Sequence, residues 1–322
     1  MPRVGILVVG FGGPDCLDAV GPFMCNLMGR EPAPEVVARV RARYELIGGC
    51  SPLVSTAAAL AERIEAALSR RGMDAVAAVG MRYWEPYIGS AVERLVRDGA
   101  THLVTVPLSP FETHLTHGEY RDAVSEALAG HPDIVSLEVP LLSELPVYVT
   151  LHAEAARDAL ARLGQPDAPV VFSAHSLPRA DAAADDAYVV GLEACANEVA
   201  SALGLRSGEA DTEVFPGIIG YGTDEGQRRW IVAYQSKGVR GGEWLGPDTD
   251  EVIGGAAAVG ARGIAVVPIG FATEHMETLY DLDIVAARVA AEAGISFERS
   301  AAPDASPRLA EAVAAAIADM LA

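Results

Sequence analysis

The stretch Val170-Val171-Phe172-Ser173-Ala174-His175-Ser176-Leu177-Pro178 reads as an apolar, β-branched run that ends abruptly in polar residues. A second stretch behaves alike: Ile264-Ala265-Val266-Val267-Pro268 leads into Ile269-Gly270-Phe271-Ala272-Thr273-Glu274-His275-Met276-Glu277-Thr278-Leu279-Tyr280-Asp281. Near-continuous apolar runs of this length are strands buried on both faces, as in parallel sheets. Ligands of open α/β sheets bind outside the carboxyl ends of such strands. One strand therefore delivers a histidine to that edge, and another delivers a histidine followed by carboxylates.

Working outward, strands are expected at Val4–Val9, Val76–Gly80, His102–Pro107, Ile134–Glu138, Val170–Ser173, Ile218–Tyr221 and Ile264–Pro268. Helical patterns cover Pro34–Ile47, Thr56–Arg71, Ile88–Asp98, Gly118–Leu128, Tyr148–Leu163, Asp186–Leu203, Asp248–Ala258 and Pro307–Leu321. The alternation predicts an α/β fold with doubly wound parallel sheets. Gly99–Pro107 aligns without gaps to Gly260–Pro268, and Leu7–Gly10 can be laid on Val171–Ala174. Continuing these registers sets His114 against His275 and Phe11 against His175. The repeat predicts two similar lobes, each with a four-stranded sheet flanked by helices, related by a pseudo-two-fold with strand ends facing a shared cleft. Pro140–Pro146 is the expected crossover, and the last helix is expected to return to the first lobe. The expected division is 1–142 plus 306–322 for the N-terminal lobe and 143–305 for the C-terminal lobe.

The 322 residues carry 44 acidic against 24 basic side chains, a formal net charge of −20. A nucleic-acid partner needs a basic footprint and is excluded. The excess acid suits a cationic substrate, although a solvated acidic surface accounts for most of it. No uninterrupted run of 18 apolar residues exists, so no membrane span is expected. The first apolar run is too short for a signal peptide and reads as a strand, so a cytoplasmic location is expected. Cys16, Cys25, Cys50 and Cys195 form no Cys-x-x-Cys pair and are expected to be reduced. No long heptad suggests a dimer, and a monomer is expected.

Pro178 keeps Leu177 out of helical space, so His175 sits in a loop at a strand end. An imidazole there can take a proton near neutral pH or bind a borderline metal; a structural histidine is the plainer alternative. Glu277 and Asp281, four apart, share one face if Met276 onward is helical. Paired carboxylates on one face are costly unless solvated, paired or bound to a cation; an exposed acidic face is the plainer reading. The loop Ser109–Tyr120 holds Glu112, His114, His117 and Glu119. These could form a metal-entry site, or Thr116 or His117 could simply start a helix with Glu119 in its first turn. Gly10-Phe11-Gly12-Gly13-Pro14 misses the Gly-x-Gly-x-x-Gly spacing: Asp15 stands at the third glycine place and Pro14 removes an amide donor. Dinucleotide binding is rejected on that ground. No Gly-x-Ser-x-Gly occurs, which argues against a serine hydrolase.

Six phrases in order carry a family resemblance. The two opening stretches are joined by Tyr44-Glu45-Leu46-Ile47-Gly48-Gly49-Cys50-Ser51-Pro52-Leu53, Gly80-Met81-Arg82-Tyr83-Trp84-Glu85-Pro86, Tyr234-Gln235-Ser236-Lys237 and Trp244-Leu245-Gly246-Pro247-Asp248-Thr249. Together they resemble the ferrochelatase family, which inserts ferrous iron into porphyrins. The resemblance implies a lyase of haem biosynthesis, with a porphyrin and a divalent metal as substrates and no tightly bound cofactor. It implies His175, Glu277 and Asp281 as catalytic residues, with His175 and Glu277 meeting the metal and His114 and His117 as further candidates. It implies Phe11, Ser51, Arg82, Tyr83, Tyr120, Lys237 and Trp244 as substrate contacts: Ser51, Arg82, Tyr83 and Lys237 could hold propionates. Asp248 reads as a helix N-cap.

Three departures stand out. One family branch has tyrosine where this chain has Phe11, which can stack on a porphyrin but cannot ligate iron. The family's acidic ladder often has a third carboxylate where Val285 stands. Some ferrochelatases bind an iron–sulfur cluster largely through C-terminal cysteines, whereas no cysteine follows Cys195, so no cluster is expected. Two alternatives stay open: a divergent chelatase-like paralogue acting with another metal or another metal-binding molecule, and a non-catalytic haem or metal carrier. The sequence does not separate coproporphyrin III from protoporphyrin IX.

Overall fold

The computed structural model describes residues 2–165, 168–182, 187–205, 230–238 and 242–322. Among them the strands are β1 (Val4–Gly10), β2 (Ala75–Met81), β3 (His102–Pro107), β4 (Val135–Glu138), β5 (Val170–His175), β6 (Trp230–Gln235), β7 (Gly263–Val267) and β8 (Ser296–Arg299). The helices are α1 (Val20–Met28), α2 (Pro34–Leu46), α3 (Leu53–Arg70), α4 (Ile88–Arg97), α5 (Glu119–Leu128), α6 (Pro146–Leu163), α7 (Ala187–Leu203), α8 (Thr249–Ala258), α9 (Met276–Leu279), α10 (Ala287–Glu292) and α11 (Pro307–Met320). The expected strand Ile218–Tyr221 lies outside the described residues.

By packing, the chain divides into two compact units. The first comprises Met1–Val147, Ala272–Met276 and Pro303–Ala322, and the second Tyr148–Phe271 and Glu277–Ala302. In the first, four parallel strands run in the order β2-β1-β3-β4. Every residue of β1 is buried, as a central strand covered on both faces requires. Helix α4 shows how its cover is built: Ile88, Ala91, Val92 and Leu95, spaced one and two turns apart, are its buried face. Burying such a leucine or isoleucine contributes about 1.5–3 kcal/mol. At its other end the unit recruits α11, where Pro307 opens the helix and Leu309, Ala310, Val313, Ala314 and Ile317 are buried. The Glu311 carboxylate meets Arg70 and Arg71 at the end of α3, so the last helix does return to the first unit.

The second unit repeats the arrangement, with parallel order β6-β5-β7-β8. Its core gathers Val171, Ala233, Val252, Ile253, Ile264, Val266 and Leu282. The register of the two sheets matches the sequence repeat: Leu7 pairs with Thr105, and their counterparts Val171 and Val266 pair with each other. The repeat slips after the strands. Leu108 N donates to Val9 O at 2.8 Å, but the equivalent bond to Ser173 O, at 3.0 Å, comes from Gly270, one residue later than the ungapped alignment sets it. The ungapped register therefore ends at the strands and does not carry the expected match of His114 with His275.

Candidate active site

His175 is the last residue of β5, and its surroundings are tied down on both sides. The Ser176 amide donates to Gln235 O at 2.8 Å, and the Tyr188 hydroxyl donates to His175 O at 2.7 Å. The Leu245 amide donates to Leu177 O at 2.8 Å, and the Ser176 hydroxyl donates to Leu245 O at 2.9 Å. The loop after β5 is thereby pinned, and the imidazole is left part-buried with a fixed backbone.

Nδ1 of His175 lies 2.9 Å from Oε2 of Glu277. A proton on Nδ1 donated to that carboxylate leaves Nε2 with a lone pair. Burial is the largest single influence on the imidazole and favours its neutral form. The charge of Glu277, its hydrogen bond and the charge of Asp281 together outweigh burial, so the pKa is raised above 6.5. The pair is therefore a base strengthened by its own counter-ion.

Gly270 lets the returning chain come this close to β5. A Cβ there would stand 2.5 Å from the Ala174 Cβ and 2.6 Å from its Cα, so only glycine fits. Beyond it, Glu277 stands in the single turn α9, and Asp281 opens a wider π-helical turn, Asp281–Ala286. The helix expected from Met276 onward is thus one α turn followed by a π turn. Gln235 Nε2 donates to Glu277 O at 2.7 Å, and the Ser236 hydroxyl donates to Asp281 Oδ2. Both acidic residues are thus gathered at the carboxyl end of β6, four positions apart. Asp283, between Asp281 and Val285, is taken by Arg299, whose nitrogens lie 2.5 and 2.7 Å from its two oxygens.

The remaining residues of the second unit divide. Lys237 Nζ is 2.6 Å from Asp248 Oδ2, an ion pair at a part-exposed position. Asp248 precedes α8, and its amide donates to the Glu251 carboxylate at 2.9 Å, as a capping box requires. Trp244 bridges to Pro178, and its ring lies against Gly238.

In the first unit, the turn after β1 packs Phe11 on Tyr83, with ring centroids 4.7 Å apart. Gly12 has φ 98°, and a Cβ on Gly13 would stand 2.7 Å from the Ser51 Cβ, so both glycines are dictated by backbone shape. Ser51 is 8% exposed, and its hydroxyl oxygen accepts from Leu53 N at 3.3 Å at the start of α3. The Arg82 guanidinium lies 5.0 Å from the Tyr83 ring centroid. Arg82 Nε stands 3.3 Å from Glu119 Oε2, and the Tyr83 hydroxyl donates to the same carboxylate.

Tyr120 is 1% exposed, packs with Val124 and Leu103, and burial drives its phenol pKa well up. The acids of the polar loop before α5 are taken up by neighbouring side chains. Glu112 pairs with Arg121 at 2.7 Å, together with Glu138 at 2.6 Å, while Glu119 turns to Tyr83 and Arg82. His117 is fully buried, with Nδ1 3.3 Å from Thr116 Oγ1, and burial lowers its pKa. Thr113 caps this turn by accepting from Thr116 N at 3.0 Å, and His114 is exposed. Among the described residues, no three His, Cys, Asp or Glu side chains are grouped to hold a metal ion.

The family model for ferrochelatase matches residues 3–321. The chain belongs to the ferrochelatase family. It is 32% identical to a ferrochelatase of Synechocystis sp. over 344 aligned positions, covering 100% of this chain and 83% of that one. It is 30% identical to a ferrochelatase of Herpetosiphon aurantiacus, covering 92% of each. Among solved structures the fold is similar to SirB from Bacillus subtilis with Fe3+, with a TM-score of 0.56 at 14% identity, covering 99% of this chain and 96% of that one. It is also similar to CbiX, the terminal enzyme for biosynthesis of siroheme in denitrifying bacteria, at TM-score 0.52 and 14% identity, covering 99% and 100%. At such identity these two show a shared chelatase-type fold of two parallel four-stranded sheets. Among the described residues, no helix is long and apolar enough to cross a membrane.

Proposed function

We propose that this protein is a metal chelatase of the lyase class that inserts Fe2+ into a propionate-bearing porphyrin, coproporphyrin III or protoporphyrin IX, in haem biosynthesis. The observation that carries the reading is the His175–Glu277 pair, 2.9 Å apart at a strand's carboxyl end, in a chain of the ferrochelatase family. The reaction exchanges two pyrrole N–H protons for one metal ion. It needs a base that works near neutral pH and a path for cations.

His175 is assigned as that base. Its Nδ1–H, held by Glu277, presents Nε2 to the pyrrole hydrogens, and the raised pKa strengthens its hold on each proton. Glu277 fixes the tautomer and balances the imidazolium, and Asp281 adds negative charge one turn further on. The iron is a substrate. A macrocycle held away from planarity would point its nitrogen lone pairs to one face, where a single base can serve both protons.

Substrate contacts follow from exposure and partners. Phe11 and Tyr83 supply aromatic surface in the first unit, with Arg82 and Ser51 as propionate partners. Lys237 and Trp244 are the equivalent candidates in the second unit. Tyr120, His114 and His117 have no place in the reading.

The test is anaerobic absorbance of the purified protein with each porphyrin and Fe2+, with His175→Ala as control. A metalloporphyrin spectrum that requires His175 supports the assignment. Porphyrin binding without metallation, or full turnover by His175→Ala, would falsify it.

A further inference from the structure

Two donors of the first unit converge on one carboxylate oxygen. The Tyr83 hydroxyl donates to Glu119 Oε2, and Arg82 Nε stands 3.3 Å from the same atom. The donors belong to the frame. Arg82 N donates to Gly10 O at 2.9 Å, Tyr83 N donates to Phe11 O at 3.0 Å, and Asn26 Nδ2 donates to Tyr83 O at 3.1 Å. The Tyr83 ring packs on Phe11 and lies 5.0 Å from the Arg82 guanidinium carbon. Glu119, by contrast, brings only the end of a rotatable side chain, from the first residue of α5.

The ion pair of Arg82 with Glu119 is a loose one. Among the described residues no hydrogen bond reaches Arg82 Nε, so charge alone holds the two together there. Both side chains are part-exposed, and a pair of that kind is weak. A carboxylate that meets a guanidinium fork with both oxygens is held far better. The same loop shows the difference: Arg121 donates to the two oxygens of Glu112 at 2.7 and 2.9 Å and to Glu138 at 2.6 Å. A helix-start role does not call for the Tyr83 and Arg82 contacts. An acid in the first turn complements the helix amides, and Asp122 supplies one as well.

We propose that Glu119 is a specificity residue: its carboxylate occupies Arg82 and Tyr83 in the free protein and gives them up to a substrate propionate. This rests on the chelatase reading above. An arriving propionate brings a second negative charge to one guanidinium, and two carboxylates so placed repel. The donors are fixed through their backbones, so Glu119 is the group that turns away to solvent. A macrocycle without a carboxylate at that edge gains nothing to offset the displacement, and the contact discriminates against it.

Absorbance titration of wild type and Glu119→Gln with coproporphyrin III and protoporphyrin IX, without metal, tests this by sign. The Kd of Glu119→Gln should fall by about two- to fivefold, the scale of one part-exposed ion pair, with Tm unchanged. A glutamate that merely aligns the two donors predicts weaker binding instead. One that merely starts the helix predicts a lower Tm and an unchanged Kd. In an Arg82→Gln background, Glu119→Gln should lose most of its effect, because the charge competed for is gone. Asp122→Asn, which removes an acid from the same helical turn, should leave the Kd unchanged, whereas a general field effect would lower it too. Weaker or unchanged binding by Glu119→Gln, an equal gain without Arg82, or an equal gain from Asp122→Asn overturns the proposal. Failure to insert Fe2+ by proteins that still show the gain in affinity defeats the chelatase reading alone. Binding of porphyrin by neither protein defeats both.

Discussion

His175 and Glu277 are 102 residues apart in the chain, yet the imidazole Nδ1 and the carboxylate Oε2 meet at 2.9 Å. The contact favours a proton on Nδ1, and with Asp281 it raises the imidazole pKa.

The acid limb of the rate follows from that contact. A base must be unprotonated, so kcat/KM should rise with pH through a pKa above 6.5, the direction in which Glu277 and Asp281 outweigh burial. Glu277→Gln removes the nearer charge and should move this limb to lower pH while cutting the rate by about 10²–10⁴-fold. The sign for stability is opposite: protonated His175 favours the fold fully below pH 6.5, and that contribution fades as pH rises through the raised value. Rate profiles and thermal melts across pH 5.5–8.5 (about one unit below and two above the ordinary imidazole value) check both. A limb that Glu277→Gln leaves in place contradicts the assignment.

Gly270 should be irreplaceable. Alanine would press its Cβ to 2.5 Å from the Ala174 Cβ, one residue before His175, against backbone that cannot yield. Overpacking of this kind costs about 1–3 kcal/mol. Gly270→Ala should therefore lose both stability and metallation rate, measured by denaturant titration alongside turnover. Wild-type values of both would show that the strand ends are looser than this packing implies.

The polar loop before α5 should prove dispensable to metal. His114→Ala, at an exposed position, and Glu112→Gln, in an Arg121 pair, should leave the metal KM unchanged. His117→Ala should lower stability by about 1–3 kcal/mol through loss of a buried side chain, again without changing the metal KM. A several-fold rise in metal KM for His114→Ala would restore the loop as an entry site.

Tyr148 offers a test of the second unit's frame alone. Its fully buried hydroxyl donates to Ile269 O at 2.8 Å, beside Gly270. Phenylalanine would leave that carbonyl unsatisfied, costing about 1–3 kcal/mol. Equilibrium unfolding of Tyr148→Phe measures it, and no change would mean that water takes over the bond.

The central strands were legible because burial on both faces leaves an apolar run that hardly any other element produces. β6 and β8 were not. Trp230–Gln235 is only half covered over its first three residues, and Ser296–Arg299 is four residues, three of them polar, so neither shows a run or a clean alternation. Helix α1 was hidden by Gly21-Pro22, which reads as a break, yet proline is tolerated in a helix's first turn. At the site, His175 and Glu277 were readable as strand-end chemistry. Tyr120 and Val124, four apart, are the buried residues of α5, a spacing that the polar loop before them obscures in the sequence. Ser236 lies in the quoted phrase Tyr234–Lys237, but its left-handed φ of 60° shows only in the structure.

The single residue gained after β7 has a consequence for descent. A chain that carries every loop twice need preserve each chemistry only once. A one-residue insertion in one copy makes the two copies inequivalent from that point on. On the chelatase reading, the copy holding Gly270 and Glu277 would answer to selection on reaction rate, and the copy ending in the Glu112–Gly118 loop chiefly to selection on folding. Substitutions should accumulate at unequal speeds in two halves that share one sheet pattern.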